Sequence, residues 1–132
     1  MGTQFVVQIE NQPGALAHFA HALAERGVNL VHCAAGGAGT IGYAIVETED
    51  DEAARSVLRS IGLPFTEGRS IIVELPDRPG ALAEAAERLA AAGIGINGLL
   101  VIGRRDGRVH VALTTDNEAA ARELLSPVPV LA

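Results

Sequence analysis

The sequence predicts an α+β chain made of two small domains in tandem, each a β-α-β-β-α-β unit. Three observations carry that expectation. Residues 3–66 align over 69–132 at a constant offset of 66, with 18 identities in 64 pairs and no gap. Both copies alternate short β-branched runs with stretches of helical period. Turn signals separate these stretches in the same order in each copy. Two copies fall short of the three or more repeats that a solenoid needs, so the expected domains are 1–67 and 68–132.

Each copy opens on a β-branched run, Phe5-Val6-Val7-Gln8-Ile9 or Ile71-Ile72-Val73-Glu74-Leu75, which a turn signal closes as a first strand. A helix follows, with Leu16, Phe19, Ala20 and Leu23 on one face in copy one and Leu82, Ala85, Ala86 and Leu89 in copy two. Gly27 and Gly93 stand where a left-handed C-terminal cap belongs. Second strands begin at Val28 and Ile94 and end in tight turns, Gly36-Gly37-Ala38-Gly39 and Arg105-Asp106-Gly107, the latter an Asp-Gly hairpin signal. Tyr43 and Ile45, then Val109 and Val111, mark third strands. Asp50, or Thr115 with Glu118 three residues on, opens the second helix. The Pro-flanked segments Leu63 to Thr66 and Val128 to Leu131 close each copy as edge strands. This order is the split βαβ plan of ferredoxin-like domains. Right-handed crossovers put both helices on one face of a four-stranded antiparallel sheet.

Composition narrows the function. The chain has 132 residues, a net charge of −6, ten arginines and no lysine, so neither half offers a basic surface for a nucleic-acid backbone. Of Val7, Val73, Tyr43 and Val109 on the first and third strands, only one is aromatic where an RNA-binding sheet stacks bases. The longest uncharged stretch, Leu89 to Gly103, is shorter than a membrane span and is broken by glycines. The lone Cys33 cannot form an intramolecular disulfide, and residues 1–5 have no signal-peptide character, which points to the cytoplasm.

The junction of first strand and first helix holds the most chemistry. It reads Asn11-Gln12-Pro13-Gly14-Ala15-Leu16 in copy one and Asp77-Arg78-Pro79-Gly80-Ala81-Leu82 in copy two. Proline suits a first helical turn, and Asn or Asp before it can accept a bond from a free amide. Glycine removes a Cβ where unpaired N–H groups and the positive helix end face outward, a place a small carboxylate can reach. A tight packing contact is the competing reading of the same glycines.

The string [Asn/Asp]-x-Pro-Gly-Ala-Leu-Ala, the helix ending at Gly27 or Gly93, and Val28-Asn29-Leu30 or Ile94-Gly95-Ile96 resemble the ACT domain, a small amino-acid-binding regulatory module, over nearly the whole chain. The resemblance implies that a free amino acid binds between the turn and strand two of a neighbouring ACT domain. It assigns Asn11, Gly14, Ala15, Leu16 and Asn29 in copy one, and Asp77, Gly80, Ala81 and Leu82 in copy two. Turn amides would hold the carboxylate, and Asn11 or Asp77 would meet the ammonium or cap the helix. Copy two departs from the pattern, with Gly95 in place of Asn29 and Asn97 two residues later, on the same strand face by period two. A homodimer is implied as well, as is a possible partner among amino-acid metabolic enzymes. The alternative reading is a non-catalytic regulatory subunit that works mainly through protein contact.

Other motifs are weaker. Gly37 to Gly42 fits a dinucleotide-binding GxGxxG pattern, but Tyr43 to Glu47 alternates like a strand where that site needs a helix, so no cofactor is expected. His18, His21 and Glu25 could space a metal site, yet they lie opposite the apolar stripe and read as a solvated face. His32-Cys33 falls on strand two without a recognisable base-orienting carboxylate, so no catalytic residue is assigned and no enzyme is expected. A ligand contact from His32 remains open.

Overall fold

The computed structural model describes residues 2–125, and the chain divides into two compact units on either side of the Glu67–Gly68 bond. The first runs β1 (Thr3–Glu10), α1 (Ala15–Glu25), β2 (Leu30–Ala38), β3 (Ile41–Thr48), α2 (Asp51–Ile61) and β4 (Phe65–Arg69). Its sheet has the order β2-β3-β1-β4. The second runs β5 (Ile71–Pro76), α3 (Ala81–Ala91), β6 (Ile96–Arg105), β7 (Arg108–Thr115) and α4 (Glu118–Leu125), with sheet order β5-β7-β6. In each unit the first strand pairs antiparallel with the third, as the ferredoxin-like plan requires. The expected last strand, Val128 to Leu131, lies outside the described residues.

Alternation along the strands selects the core. Phe5, Val7 and Ile9 of β1 and Ala44 and Val46 of β3 pack with Phe19 and Leu23 of α1 and with Ala54, Val57 and Leu58 of α2. Ile71, Val73, Val111 and Leu113 meet Ala85, Leu89, Ala121 and Leu125 in the second unit. Leu16 and Leu82, expected on the buried helix stripes, are instead exposed, at 45% each. They stand in the first turn of α1 and α3.

Helix ends follow local chemistry. Gly27 and Gly93 adopt φ of 69° and 73°. The amides of Val28 and Ile94 donate back to Leu23 and Leu89, and those of Gly27 and Gly93 to Ala24 and Ala90. That is the Schellman pattern, which satisfies carbonyls left over at the helix end. Asp50 caps α2 by accepting from the Ala53 amide at 3.0 Å.

Three expectations need correction. Strand β4 starts at Phe65, not Leu63, because the Leu63 amide is still tied to Leu58 of α2 and Pro64 has no N–H to give the ladder. The cap of α4 is Asn117, whose Oδ1 accepts from the Ala120 amide, while Thr115 accepts from Asn117 itself. The constant offset of 66 also breaks. Val101 pairs with Val111 and Gly103 with His110, so Ile102 is an extra, bulged residue in β6. Beyond it the equivalences run at 67: Asp50 matches Asn117, Ala54 matches Ala121 and Leu58 matches Leu125. Ala54 and Ala121 are both fully buried, as true counterparts should be.

Arg55 of α2 makes a bidentate pair with Glu67 of β4, with bonds of 2.7 to 3.0 Å, and its guanidinium lies 5.9 Å from the centre of the Phe5 ring. The hydrogen bonds from Arg55 hold the Glu67 carboxyl below the usual carboxylate range.

Candidate functional site

The two Pro-Gly junctions fold alike. Ala15 N–H donates to the Gln12 carbonyl at 3.2 Å and Ala81 N–H to the Arg78 carbonyl at 3.3 Å. Gly14 and Gly80 have φ/ψ of 89°/−14° and 88°/−14°. These are type II turns with proline at the second position and glycine at the third. The prolines therefore sit in the turn ahead of each helix, not in its first helical position. Glycine is required by its positive φ, since a Cβ at Gly14 would touch nothing within 4 Å.

The glycine carbonyls then start the helices, accepting from His18 and Glu84 at 2.9 Å. Neither helix has a side-chain cap, contrary to the expected capping role of Asn11 and Asp77. Because the Ala15 and Ala81 amides close the turns, the amides left without an acceptor among the described residues are those of Gly14, Leu16 and Ala17, and of Gly80, Leu82 and Ala83. Each set lies at the positive end of a helix beside an exposed leucine, which suits an anionic group carrying an apolar part.

Asn11 and Asp77 serve to join the turn to the neighbouring hairpin. Asn11 N–H donates to Thr40 O at 3.1 Å and its Nδ2 to Gly39 O at 2.9 Å. Asp77 N–H donates to Gly107 O at 2.9 Å, and its carboxylate pairs with Arg104 at 3.4 Å. The contrast explains a glycine. A Cβ on Gly37 would come within 2.5 Å of Asn11 Cγ, whereas its counterpart beyond the bulge, Arg104, reaches out to Asp77. Gly37→Ala is accordingly expected to displace the Asn11 side chain and lose its bond to Gly39, costing about 1 kcal/mol in urea denaturation. In the Asn11→Ala background the same change should cost less, as a double-mutant cycle would show. The dinucleotide-like stretch Gly37 to Gly42 is this hairpin: Ala38 pairs with Ile41 across Gly39 and Thr40.

Asn29 and Asn97 stand elsewhere. Asn29 precedes β2, its Nδ2 3.3 Å from Glu49 Oε1 and its carbonyl accepting from Glu49 N–H. The matching bond in the second unit runs from Asp116 N–H to Gly95 O, and Asp116 Oδ1 accepts from Gly95 N–H. A Cβ on Gly95 would approach Asp116 Oδ2 to 2.8 Å, so an Asn there would have to displace that carboxylate. Asn97 is a bulged residue between Ile96 and Gly98, as Val31 is in the first unit. Alternation is interrupted there, and the period-two placement of Asn97 beside Gly95 does not hold. Within the first unit, Asn29 and the turn lie at opposite ends of the β2–β3 ladder, roughly 25 Å apart at about 3.3 Å per residue.

Sequence reasoning missed one partner. His32 Nδ1 lies 2.9 Å from Glu47 Oε1 of β3, so a carboxylate does orient this ring. Gln4 Nε2 reaches the other oxygen at 3.4 Å. The signal was present in the alternation of β3, where Glu47 shares the face of Tyr43 and Ile45. Its pairing with a residue 15 positions earlier depends on the bulge at Val31. Two further histidines meet carboxylates: His21 and Glu25 sit 3.3 Å apart on the solvent face, 76% and 68% exposed, and His110 Nε2 of β7 lies 3.0 Å from Glu74 Oε2 of β5.

A family model described as an ACT domain pair matches residues 2–127. The chain belongs to that family. Solved structures with the same fold include a protein from Bacteroides thetaiotaomicron, at TM-score 0.70 and 22% identity, covering 95% of this chain and 86% of that one. The regulatory subunits of aspartate kinase from Thermus flavus and Thermus thermophilus are also similar. Their TM-scores are 0.59 and 0.57 and their identities 21% and 22%, with 96% and 95% of this chain and 94% and 91% of theirs covered. No curated protein matches the chain in sequence. Each ACT domain thus brings Asn11, Gly14, Ala15 and Leu16, or Asp77, Gly80, Ala81 and Leu82, together at one turn, and leaves Asn29 or Asn97 at the far end of its own sheet. Among the described residues no helix is long and apolar enough to cross a membrane.

Proposed function

We propose that this ACT domain pair is a non-catalytic, cytoplasmic regulatory protein that binds a free amino acid at its Pro-Gly turns. The observation that carries the reading is the paired set of open amides at Gly14, Leu16 and Ala17, and at Gly80, Leu82 and Ala83, each at a helix N-terminus. They supply donors for a ligand carboxylate, and the exposed Leu16 and Leu82 supply apolar contact for its side chain. Asn29 and Asn97, too far from their own turns, act on ligand held by the turn of another ACT domain, an arrangement that a homodimer provides. Ligand binding favours one docking of the two copies of the homodimer over another, and an amino-acid metabolic enzyme is the partner that reads the change.

A screen of the twenty common amino acids by thermal shift tests this. One or a few should raise the melting temperature, since a ligand at 100 times its Kd adds about 2.7 kcal/mol of stability. No shift with any of them at millimolar concentration overturns the amino-acid reading.

One observation favours a second reading, regulation mainly through protein contact. The face of the first sheet away from its helices exposes Ile41 at 45% and Tyr43 at 49%, beside an open hollow of about 490 Å³ lined also by Ala34, Gly36 and Ala38. An apolar face of this kind marks contact with another surface.

A further inference from the structure

We infer that His32, held by Glu47, is the acceptor for the ammonium of the bound amino acid, and that the second ACT domain has no counterpart at this register position. The inference rests on the amino-acid reading above. Three residues on adjacent strands make the site. Register places His32 of β2 opposite Glu47 of β3, and Gln4 of β1 reaches Glu47 from the other side. Glu47 is 8% exposed and Gln4 fully buried, while the His32 side chain keeps 36% of its surface open.

An ionised carboxylate only accepts hydrogen bonds. The proton of a neutral His32 ring therefore sits on Nδ1, facing Glu47, and Nε2 keeps its lone pair. No arginine pairs with Glu47 among the described residues. The pair thus carries a net negative charge behind an acceptor nitrogen. That chemistry suits a cationic donor such as an ammonium and disfavours a carboxylate.

The duplication provides an internal control. With the offset of 66 before the Ile102 bulge and 67 after it, Gln4, His32 and Glu47 correspond to Ser70, Gly98 and Thr114. The second domain pairs its first three strands in the same way with none of the three, so that pairing does not require them; its own histidine–carboxylate pair, His110 with Glu74, joins β7 to β5 instead, and there Arg108 also lies 3.6 Å from the carboxylate. Burying a carboxylate is unfavourable unless it is hydrogen-bonded, and this one is bonded to the imidazole. His32 lies six residues along β3 from the hairpin end where the turn of its own domain sits. It therefore serves a ligand whose carboxylate is held by a turn of a second copy of the chain.

The experiment is isothermal titration of the 132-residue chain and its His32→Ala and His32→Gln variants. The probes are the amino acid identified by the thermal screen and the matching 2-hydroxy acid, in which a hydroxyl replaces the ammonium. His32→Ala should weaken amino-acid binding about tenfold to a hundredfold, the range of a hydrogen bond to a charged group. Binding of the hydroxy acid should change little, so that discrimination between the two collapses. His32→Gln, which keeps an acceptor, should recover part of it. Equal weakening of both ligands means that His32 is merely structural, and an unchanged amino-acid affinity means that it makes no contact; either result overturns the inference while the amino-acid reading stands. If the unmodified protein binds no amino acid, both fall.

Discussion

Phe5→Ala is expected to destabilise the first ACT domain by about 3–5 kcal/mol, the usual loss when a buried aromatic side chain is truncated in a packed core. Phe5 is fully buried at the centre of β1, among residues from both helices and β3. It also contacts the Phe65 ring edge-on, with centroids 6.0 Å apart, and underlies the Arg55 guanidinium that anchors β4 through Glu67. Its removal therefore opens a cavity and loosens the last strand together. For a domain near 65 residues, each 1 kcal/mol is worth about 4–8 °C in melting temperature, so scanning calorimetry should show a drop of well over 10 °C. A change below about 1 kcal/mol would mean that β1 is not the centre of this core.

Substituting valine for Gly14 or Gly80 should cost at least about 1–2 kcal/mol at each turn, the penalty for placing an L-residue in the left-handed region, and more because valine is β-branched. The cause is strain alone at Gly14, where a Cβ would meet no neighbour, and nearly so at Gly80, where it would lie 3.7 Å from Arg78 Nη1. Relief of that strain would rotate the peptide between proline and the new residue and disturb the turn that sets the following amides. Loss of the ligand-induced thermal shift is therefore expected alongside the loss of stability. D-alanine at either position, introduced by semisynthesis, should keep both, since its mirror-image preference matches φ near 89°. If L-valine proves neutral in urea denaturation, the positive φ is not what selects glycine here.

Much of the fold was legible because it is encoded over short distances. Period separates strand from helix, Gly27 and Gly93 mark left-handed caps, and Asp106-Gly107 marks a hairpin with φ of 52° and 73°. Dipeptides also misled where two local structures share them. Pro-Gly ahead of a helix reads equally well as a first helical turn or as a type II turn, and only the bond from Ala15 to Gln12 separates the two. The candidate site was legible in half: the turn residues are contiguous, but Asn29 and Asn97 belong to the opposite end of each sheet, which a one-dimensional motif does not express.

The sequence by itself determined the duplication, the order of elements in each copy and the turn at which a helix N-terminus opens, all set by dihedral preference and hydrophobic period within a few residues. Tertiary structure alone decided that Ile102 is an inserted bulge, that Asn117 and not Thr115 caps the last helix, and that Glu47 lies beneath His32. The first and the last depend on strand register between residues 7 to 15 positions apart, and the cap on which of two neighbouring side chains the end of β7 turns toward the helix amides. Register is chosen by the fit of two faces in the folded core, and a single bulge changes every partner beyond it.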